Sequence, residues 1–118
     1  MPKTVPCTDS DHQPALKETL RKSLIGDPKA ALLAETFAAL ADPTRIRIVS
    51  LLADTEMCVG DLCFLLDMTQ PAVSHHLRIL RNLKIVSSRK EGRHVFYTLA
   101  DQHIYDLFAV SSAHVDHR

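Results

Sequence analysis

The sequence lacks the features of membrane proteins and of disulfide-rich proteins. No apolar run approaches the roughly 18 residues that a transmembrane helix needs, and the N-terminus lacks the basic-then-apolar order of a signal peptide. The three cysteines, Cys7, Cys58 and Cys63, are odd in number and widely spaced, so a disulfide framework is not expected. We therefore expect a cytosolic (cytoplasmic) protein with no membrane partner.

The sequence also lacks a net charge, because Lys plus Arg and Asp plus Glu each number 14. The total gives no argument for binding nucleic acid, but the distribution of charge does. Residues 78–93 form a basic stripe in which Glu91 is the only acidic residue, and Arg47 on an earlier element is counted with it. The cations of the stripe are Arg78, Arg81, Lys84, Arg89, Lys90 and Arg93. Such a stripe favours a DNA-binding face, although charge alone also fits an ordinary solvated surface.

The length of 118 residues indicates one domain with a modest core. Residues 1–14 carry several prolines and small polar side chains and are expected to form a flexible N-terminal arm, and residues 15–118 are expected to form the folded domain. Apolar residues at helical spacing predict helices from near residue 15 onward. Asp27 and Asp42 are each followed by proline, which is typical of a helix cap and the first helical residue.

The second half of the chain has the element order of a winged helix-turn-helix. A short helix over about residues 60–66 and a second helix over 69–82 are separated by a brief turn. The pattern then changes to that of two strands, residues 85–90 and 94–99, around a glycine-containing turn. Asp101 is placed to cap a last helix. The predicted fold class is therefore mostly α with a β-hairpin wing.

Polar side chains of the second helix and of the wing are the candidate DNA contacts. In this fold the second helix enters the major groove, which is about 12 Å wide, and wing cations meet backbone phosphates. The outward donors on the helix are Thr69, Gln70, Ser74, His75 and Arg78. The wing adds Arg89, Lys90, Arg93 and His94. The pattern leaves open the alternative of a helix pair and hairpin with a merely solvated polar face.

Histidine is unusually frequent, with seven in the chain and three in the last 16 residues. The candidate metal ligands on the predicted last helix are Asp101, His103, His114 and His117. His103 and His114 share a helix face but stand about 16 Å apart along the axis, whereas zinc ligands lie about 2.0–2.2 Å from the metal. Two antiparallel last helices in a dimer solve this, because the first pair of one chain then meets the histidine pair of the other. Three imidazoles and a carboxylate predict zinc or cobalt; exposed polar helix ends are the alternative.

Four segments resemble signature segments of the ArsR/SmtB family. They are Ala41-Asp42-Pro43-Thr44-Arg45, Cys58-Val59-Gly60-Asp61-Leu62, Ala72-Val73-Ser74-His75-His76-Leu77-Arg78 and Lys90-Glu91-Gly92-Arg93-His94-Val95-Phe96-Tyr97, and the similarity covers about residues 30–118. The resemblance implies a homodimeric winged-helix repressor that leaves its operator DNA when a metal or another inducer binds. The order Asp-x-His, ten residues, His-x-x-His also resembles the last-helix sensor site of the zinc-responsive branch.

The resemblance further implies a second candidate metal site. Some relatives build one from an arm cysteine and a Cys-x-x-Asp segment, which here points to Cys7 and His12 together with Cys58 and Asp61. Gly60 stands where thiolate-rich cadmium and lead sensors carry a second cysteine, and this departure argues against a site of three or four thiolates. Zinc is the expected metal, with cobalt or cadmium as alternative inducers.

Three other functions compete with metal sensing. A thiol-based redox regulator of the same fold would use Cys7, Cys58 or Cys63 and needs an exposed, reactive thiol. A zinc hydrolase needs an open coordination position and a general base, and the sequence has no His-Glu-x-x-His motif, so no enzyme activity is expected. A metal-storage or dimerisation module would leave the basic hairpin unexplained.

Overall fold

The computed structural model describes residues 14–118, and this part of the chain contains six helices and three strands. In chain order they are α1 (Pro14–Arg21), α2 (Asp27–Leu40), α3 (Pro43–Asp54), β1 (Met57–Cys58), α4 (Val59–Leu66), α5 (Gln70–Asn82), β2 (Val86–Glu91), β3 (His94–Leu99) and α6 (Gln102–Asp116). The described residues divide into two compact units, one ending at residue 32 and the other comprising residues 33–118. In the first unit α1 has no buried residue; the second unit contains the hydrophobic core. None of the helices within 14–118 combines the length and apolarity needed to cross a membrane.

Three polar residues start helices α3, α5 and α6. The side chains of Asp42, Thr69 and Asp101 each accept a hydrogen bond from the backbone N–H three residues later, at 3.0, 3.4 and 3.3 Å. Each bond satisfies a donor that the first helical turn leaves without an intrahelical partner. The backbone N–H of Arg45 also holds the pKa of Asp42 below its ordinary value, because it stabilises the carboxylate. These caps confirm the helix starts that the sequence predicts.

The core of the second unit lies between α3, α4, α5 and the sheet. On α5 the buried residues recur at spacings of four and three, so one face of the helix points inward and the opposite face outward. The largest fully buried side chains are Ile48, Val49, Leu52, Leu62, Val73, Leu77, Leu80, Ile85 and Val86. Because they come from every one of these elements, the core fixes the orientation of α5.

Arg45 ties α5 to the helices that precede it. Its Nε donates to the carbonyl of Ala39 at 2.6 Å, and its Nη1 lies 3.4 Å from Nδ1 of His76 on α5. One guanidinium thus links the end of α2, the first turn of α3 and the middle of α5. This polar contact adds to the apolar packing that holds α5 in place.

The wing is part of a three-stranded antiparallel sheet with the order β1-β3-β2. Strands β2 and β3 are joined by a turn in which Gly92 has φ +60°, a conformation that glycine adopts without strain. The predicted hairpin is therefore confirmed, with boundaries one residue later on β2. Strand β1, which pairs Met57 with Tyr97 and Cys58 with Phe96, is not predicted by the sequence pattern.

Candidate nucleic-acid interface and metal ligands

The helix-turn-helix consists of α4, the turn 67–69 and α5. Asp67 ends α4 in the left-handed conformation, with φ 54°, and its backbone N–H returns to carbonyls of the last turn. The chain then enters α5 at Thr69, and the buried Val73, Leu77 and Leu80 hold the inner face. The fold that the sequence predicts, a winged helix-turn-helix, is thus confirmed.

The predicted DNA contacts on α5 lie on its outer side. Thr69, Gln70, His75 and Arg78 are exposed, and Ser74 is half-buried. The oxygen of Thr69 accepts the cap hydrogen bond, so its hydroxyl proton is what remains for an outside acceptor. The helix therefore presents hydroxyl, amide, imidazole and guanidinium donors side by side, as base edges and phosphates require.

The wing divides its predicted DNA contacts into two kinds. Lys90, Arg93 and His94 are exposed around the turn at Gly92. Arg89, by contrast, points to the chain before β1: its Nε and Nη2 donate to the carboxylate of Glu56 at 2.6–3.1 Å. The first three side chains are thus open to a partner in solution, whereas Arg89 is already paired with Glu56.

Arg89 is the centre of a small charged cluster on one face of the sheet. Besides Glu56 it contacts the carboxylate of Glu91, and its guanidinium carbon lies 4.9 Å from the centre of the Phe96 ring. Hydrogen bonding to Arg89 lowers the pKa of Glu56, and the same contacts raise the pKa of the guanidinium. The cluster joins the wing to the strand β1 that lies across the sheet. A phosphate group would therefore have to compete with these two carboxylates for Arg89.

The metal-ligand candidates of the last helix form two separated pairs. Asp101 caps α6, and its Oδ1 lies 3.3 Å from Nδ1 of His103, whose side chain is 93% exposed. His114 lies in the last turn of α6 and His117 is the C-terminal cap residue, both exposed. Within residues 14–118, no three His, Cys, Asp or Glu side chains are grouped closely enough to hold a metal. One chain therefore carries these four candidate side chains as two pairs at opposite ends of α6.

The second candidate metal site is described only in part. Cys7 and His12 lie outside the described residues. Cys58 is half-buried where β1 meets α4 and makes no side-chain cap bond, and Asp61 is exposed in the first turn of α4. A Cβ atom built on Gly60 would lie 3.9 Å from the sulfur of Cys58, an ordinary van der Waals contact, so the backbone here does not require glycine.

Two features of the site were missed by sequence reasoning. In the sequence Glu56 belongs to a short polar segment between two helices, and no local pattern indicates that it contacts Arg89, 33 residues later. Tyr97 reads as an ordinary strand residue, yet it lines a polar pocket with Ser74 and Arg78 of α5. Knowledge that β1 pairs with β3 would have located both Glu56 and Tyr97 in the fold. A strand of two residues, however, shows no alternation of polar and apolar residues from which that pairing could be inferred.

Comparisons with known proteins agree with this architecture. Residues 42–88 match the model of the family described as "Bacterial regulatory protein, arsR family". A transcriptional repressor SmtB homolog from Synechocystis is 46% identical over 87 residues, 74% of this chain and 66% of that protein. A cadmium resistance transcriptional regulatory protein, CadC homolog, from Staphylococcus aureus is 40% identical over 70% of this chain and 69% of that protein.

A solved structure extends the likeness to nearly the whole chain. The homodimeric winged helix-turn-helix DNA-binding domain Mb0332 from Mycobacterium bovis superposes with a TM-score of 0.70 at 26% identity, covering 94% of this chain and 91% of that one. The family and these relatives are transcriptional regulators and not enzymes. The family match, the identity to its members and the shared fold lead to one conclusion: the chain belongs to the ArsR/SmtB family of bacterial regulatory proteins.

Proposed function

We propose that this protein is a repressor that binds operator DNA as a homodimer, in the cytoplasm, and is released from it by zinc. The observation that carries the proposal is the placement of two exposed pairs of metal-ligating side chains at opposite ends of α6. It is supported by two relatives, one a transcriptional repressor homolog and the other a homolog of a cadmium resistance regulator. The exposed donors of α5 and of the wing tip support DNA as the partner.

An apolar groove along α6 supports the homodimer. The groove has a volume of about 470 Å³ and is lined mainly by apolar side chains of α2, α3 and α6, among them Phe37, Ile46, Leu107 and Val115. Phe37 is 51% exposed and Val115 57% exposed. Large apolar side chains left in water on neighbouring helices favour burial against another surface. A second copy presents the same surface, so a two-fold dimer covers both grooves at once.

The ligand set of α6 suits zinc when two protomers contribute. Asp101 and His103 of one protomer would bind together with His114 and His117 of the other, which makes two equivalent sites in a dimer. Bound zinc supplies a tetrahedral link between two last helices. In the free chain Oδ1 of Asp101 lies 3.3 Å from Nδ1 of His103, so the two side chains are close enough to bind one metal ion. Cobalt fits the same nitrogen and oxygen donors.

Regulation follows from thermodynamic linkage between the two sites. The two α6 helices and the two α5 helices belong to one dimer, so an arrangement of protomers favoured at α6 also sets the spacing of the two α5 helices. If that arrangement fits the operator poorly, zinc lowers DNA affinity, and DNA lowers zinc affinity by the same factor. A second site formed by Cys7, His12, Cys58 and Asp61 is part of the proposal, with cadmium as an additional inducer.

Fluorescence anisotropy with a labelled duplex from the DNA upstream of the protein's own gene tests the proposal. Zinc is titrated into the DNA complex of the wild type, of His103→Ala and of Asp106→Asn, which changes another exposed polar residue of α6. We expect zinc to release the wild type and the control but not His103→Ala.

The other outcomes separate the parts of the proposal. Equal release of all three proteins would contradict a regulatory site on α6 and favour the site with Cys58. Release of none would contradict metal sensing itself. Failure of the metal-free wild type to bind the duplex would contradict the operator assignment.

A further inference from the structure

A polar pocket lies between α5 and β3, beside the surface proposed to read DNA. It has a volume of about 350 Å³ and is lined by Ser74, Leu77, Arg78, Arg81, Asn82 and Tyr97. Apart from Leu77, each of these residues carries a side-chain hydrogen-bond donor, and two of them carry a full positive charge. The lining contains no carboxylate. Its chemistry is that of a site for a small anion.

The pocket follows from the geometry of its two elements. On α5, residue 78 follows residue 74 by four positions, and residues 81 and 82 follow residue 78 by three and four, so these side chains lie along one side of the helix. Tyr97 and Phe96 are neighbours on β3 and point to opposite faces of the sheet. Phe96 is on the face that carries Arg89, and Tyr97 is on the face toward α5, where it lines the pocket. The half-buried phenol forms one wall, and the exposed guanidinium groups form the rim.

We propose that this pocket binds one phosphodiester group of the DNA backbone, with Arg81, Asn82 and Tyr97 as contacts in addition to Arg78 and Ser74. The proposal rests on the proposed function and deepens it. A guanidinium matches two phosphate oxygens at once, and hydroxyl and amide donors fit the remaining lone pairs. Because the pocket shares Ser74 and Arg78 with the outer side of α5, a duplex lying on that helix brings its backbone to the pocket. Inorganic phosphate has the same chemistry and is distinguished by the experiment.

The dependence of DNA affinity on salt measures the contact directly. Each phosphate that a cation neutralises contributes about 0.9 to the slope of log K against log salt concentration, so a homodimer that loses both pockets loses about 1.8. We expect a decrease of up to this size for Arg81→Gln, because Arg78 keeps its charge at the rim of the pocket. Lys29→Gln is the matched control, because it removes one positive charge from an exposed residue of α2 that does not line the pocket. Its slope should equal that of the wild type.

A neutral phosphate analogue then locates the contact on the DNA. Duplexes with a single methylphosphonate at successive positions should show one position per half-site where wild-type affinity falls about tenfold. Arg81→Gln should be less sensitive than the wild type at that position and equally sensitive elsewhere. Tyr97→Phe, which removes only a hydroxyl, should lose part of the effect at the same position. Sensitivity of Arg81→Gln equal to that of the wild type at every position would overturn the proposal.

A control with inorganic phosphate separates the two sources of the anion. If phosphate raises the melting temperature of the DNA-free wild type but not of Arg81→Gln, and the salt slopes of the two proteins agree, the pocket binds a free anion and the backbone assignment is wrong. A wild type that binds DNA with the same slope as Arg81→Gln, without any effect of phosphate, overturns the pocket alone. A wild type that binds no DNA overturns the proposed function and this proposal with it.

Discussion

Helices α5 and α6 are of similar length, 13 and 15 residues, but they relate differently to the core of their own protomer. α5 buries Val73, Leu77 and Leu80, and its functional side chains stand on the opposite face. α6 has no buried residue and exposes Val110 and Val115 to solvent. The helix proposed to read DNA is thus fixed by the core of one chain. The helix proposed to bind metal packs only the half-buried Ile104, Tyr105 and Phe108 against that core and leaves much of its apolar side exposed.

This difference suits the two tasks. Reading a base sequence requires side chains held in one orientation, and a helix fixed by a shared core provides that. A sensor requires an element whose surroundings change with the ligand, and a helix packed against another protomer can change through that interface. This difference predicts that substitutions on α5 change the stability of a single protomer and that substitutions on α6 change the association of two protomers.

The largest effect is expected from truncating the inner face of α5. Leu77 is 1% exposed, so Leu77→Ala should lower the free energy of unfolding by about 2–5 kcal/mol, because it leaves a cavity in a packed core. Urea denaturation followed by circular dichroism measures this loss. Leu107→Ala on α6, which lines the apolar groove, is the matched substitution.

The dependence on protein concentration separates the two leucine variants. Leu107→Ala should weaken the dimer, seen as a higher dissociation constant in sedimentation, and its loss of stability should grow on dilution. The loss in Leu77→Ala should be nearly the same at each concentration. If Leu107→Ala left the dimer as tight as in the wild type, the groove along α6 would not be the dimer surface.

The next effect concerns the half-sites at the two ends of α6. His103→Ala and His117→Ala homodimers should each lose tight cobalt binding, since every site then lacks one imidazole. In a mixed dimer of the two variants, one site lacks both imidazoles and the other is complete. Mixing equal amounts should therefore restore tetrahedral cobalt absorption to about one quarter of the wild-type amplitude, assuming random pairing.

The mixing experiment has a built-in control. A mixture of His103→Ala with His114→Ala should behave like the first mixture, because both second substitutions lie in the same half-site. Mixing His114→Ala with His117→Ala should restore nothing. Equal absorption before and after mixing in the first two cases would contradict a site shared between protomers.

The fold was largely predictable because its signals are local. Helix starts are indicated by capping residues that bond to the backbone three positions later, namely Asp42, Thr69 and Asp101. The change from helical to alternating spacing of apolar residues indicates the wing. Strand β1 was not predictable, because it has two residues and its partners on β3 are 38 and 40 positions later. Such a pairing depends on the tertiary fold and leaves no pattern in the strand itself.

The candidate sites divide in the same way. Helix geometry alone predicts that His103 and His114 cannot share a metal within one chain, and the structure has the two pairs at opposite ends of α6. The ion pair between Glu56 and Arg89 joins residues 33 positions apart across three strands, so sequence reasoning assigned Arg89 to DNA without its carboxylate partner. The sequence gives the sign and position of each charge along the chain, but not the residue with which a charged side chain pairs in the fold.

A smaller effect on DNA affinity is expected from releasing Arg89 of the wing from its ion pair with Glu56. Glu56→Gln removes the carboxylate that competes with phosphate, so DNA affinity should rise about twofold to fivefold at low salt, as for an exposed ion pair. Glu35→Gln removes the same charge from an exposed position on α2 and should leave affinity nearly unchanged. Weaker binding by Glu56→Gln would show that Glu56 positions Arg89 for its phosphate.

The smallest effect is the pH dependence of the same ion pair, which would act within one protomer as the comparison requires. Arg89 lowers the pKa of Glu56 below its ordinary value of 4.5, so the ion pair stabilises the folded state above pH 4.5, and this contribution is lost as the pH falls through the lowered pKa. The melting temperature of the wild type should therefore approach that of Glu56→Gln between pH 5 and pH 3, by about the same amount at every protein concentration. Asp42 has a lowered pKa in both proteins and cancels in the difference. A gap between the two proteins that persists to pH 3 would contradict the ion pair as its source. A gap that depends on dilution would mean that Glu56 stabilises a surface between protomers instead of the wing.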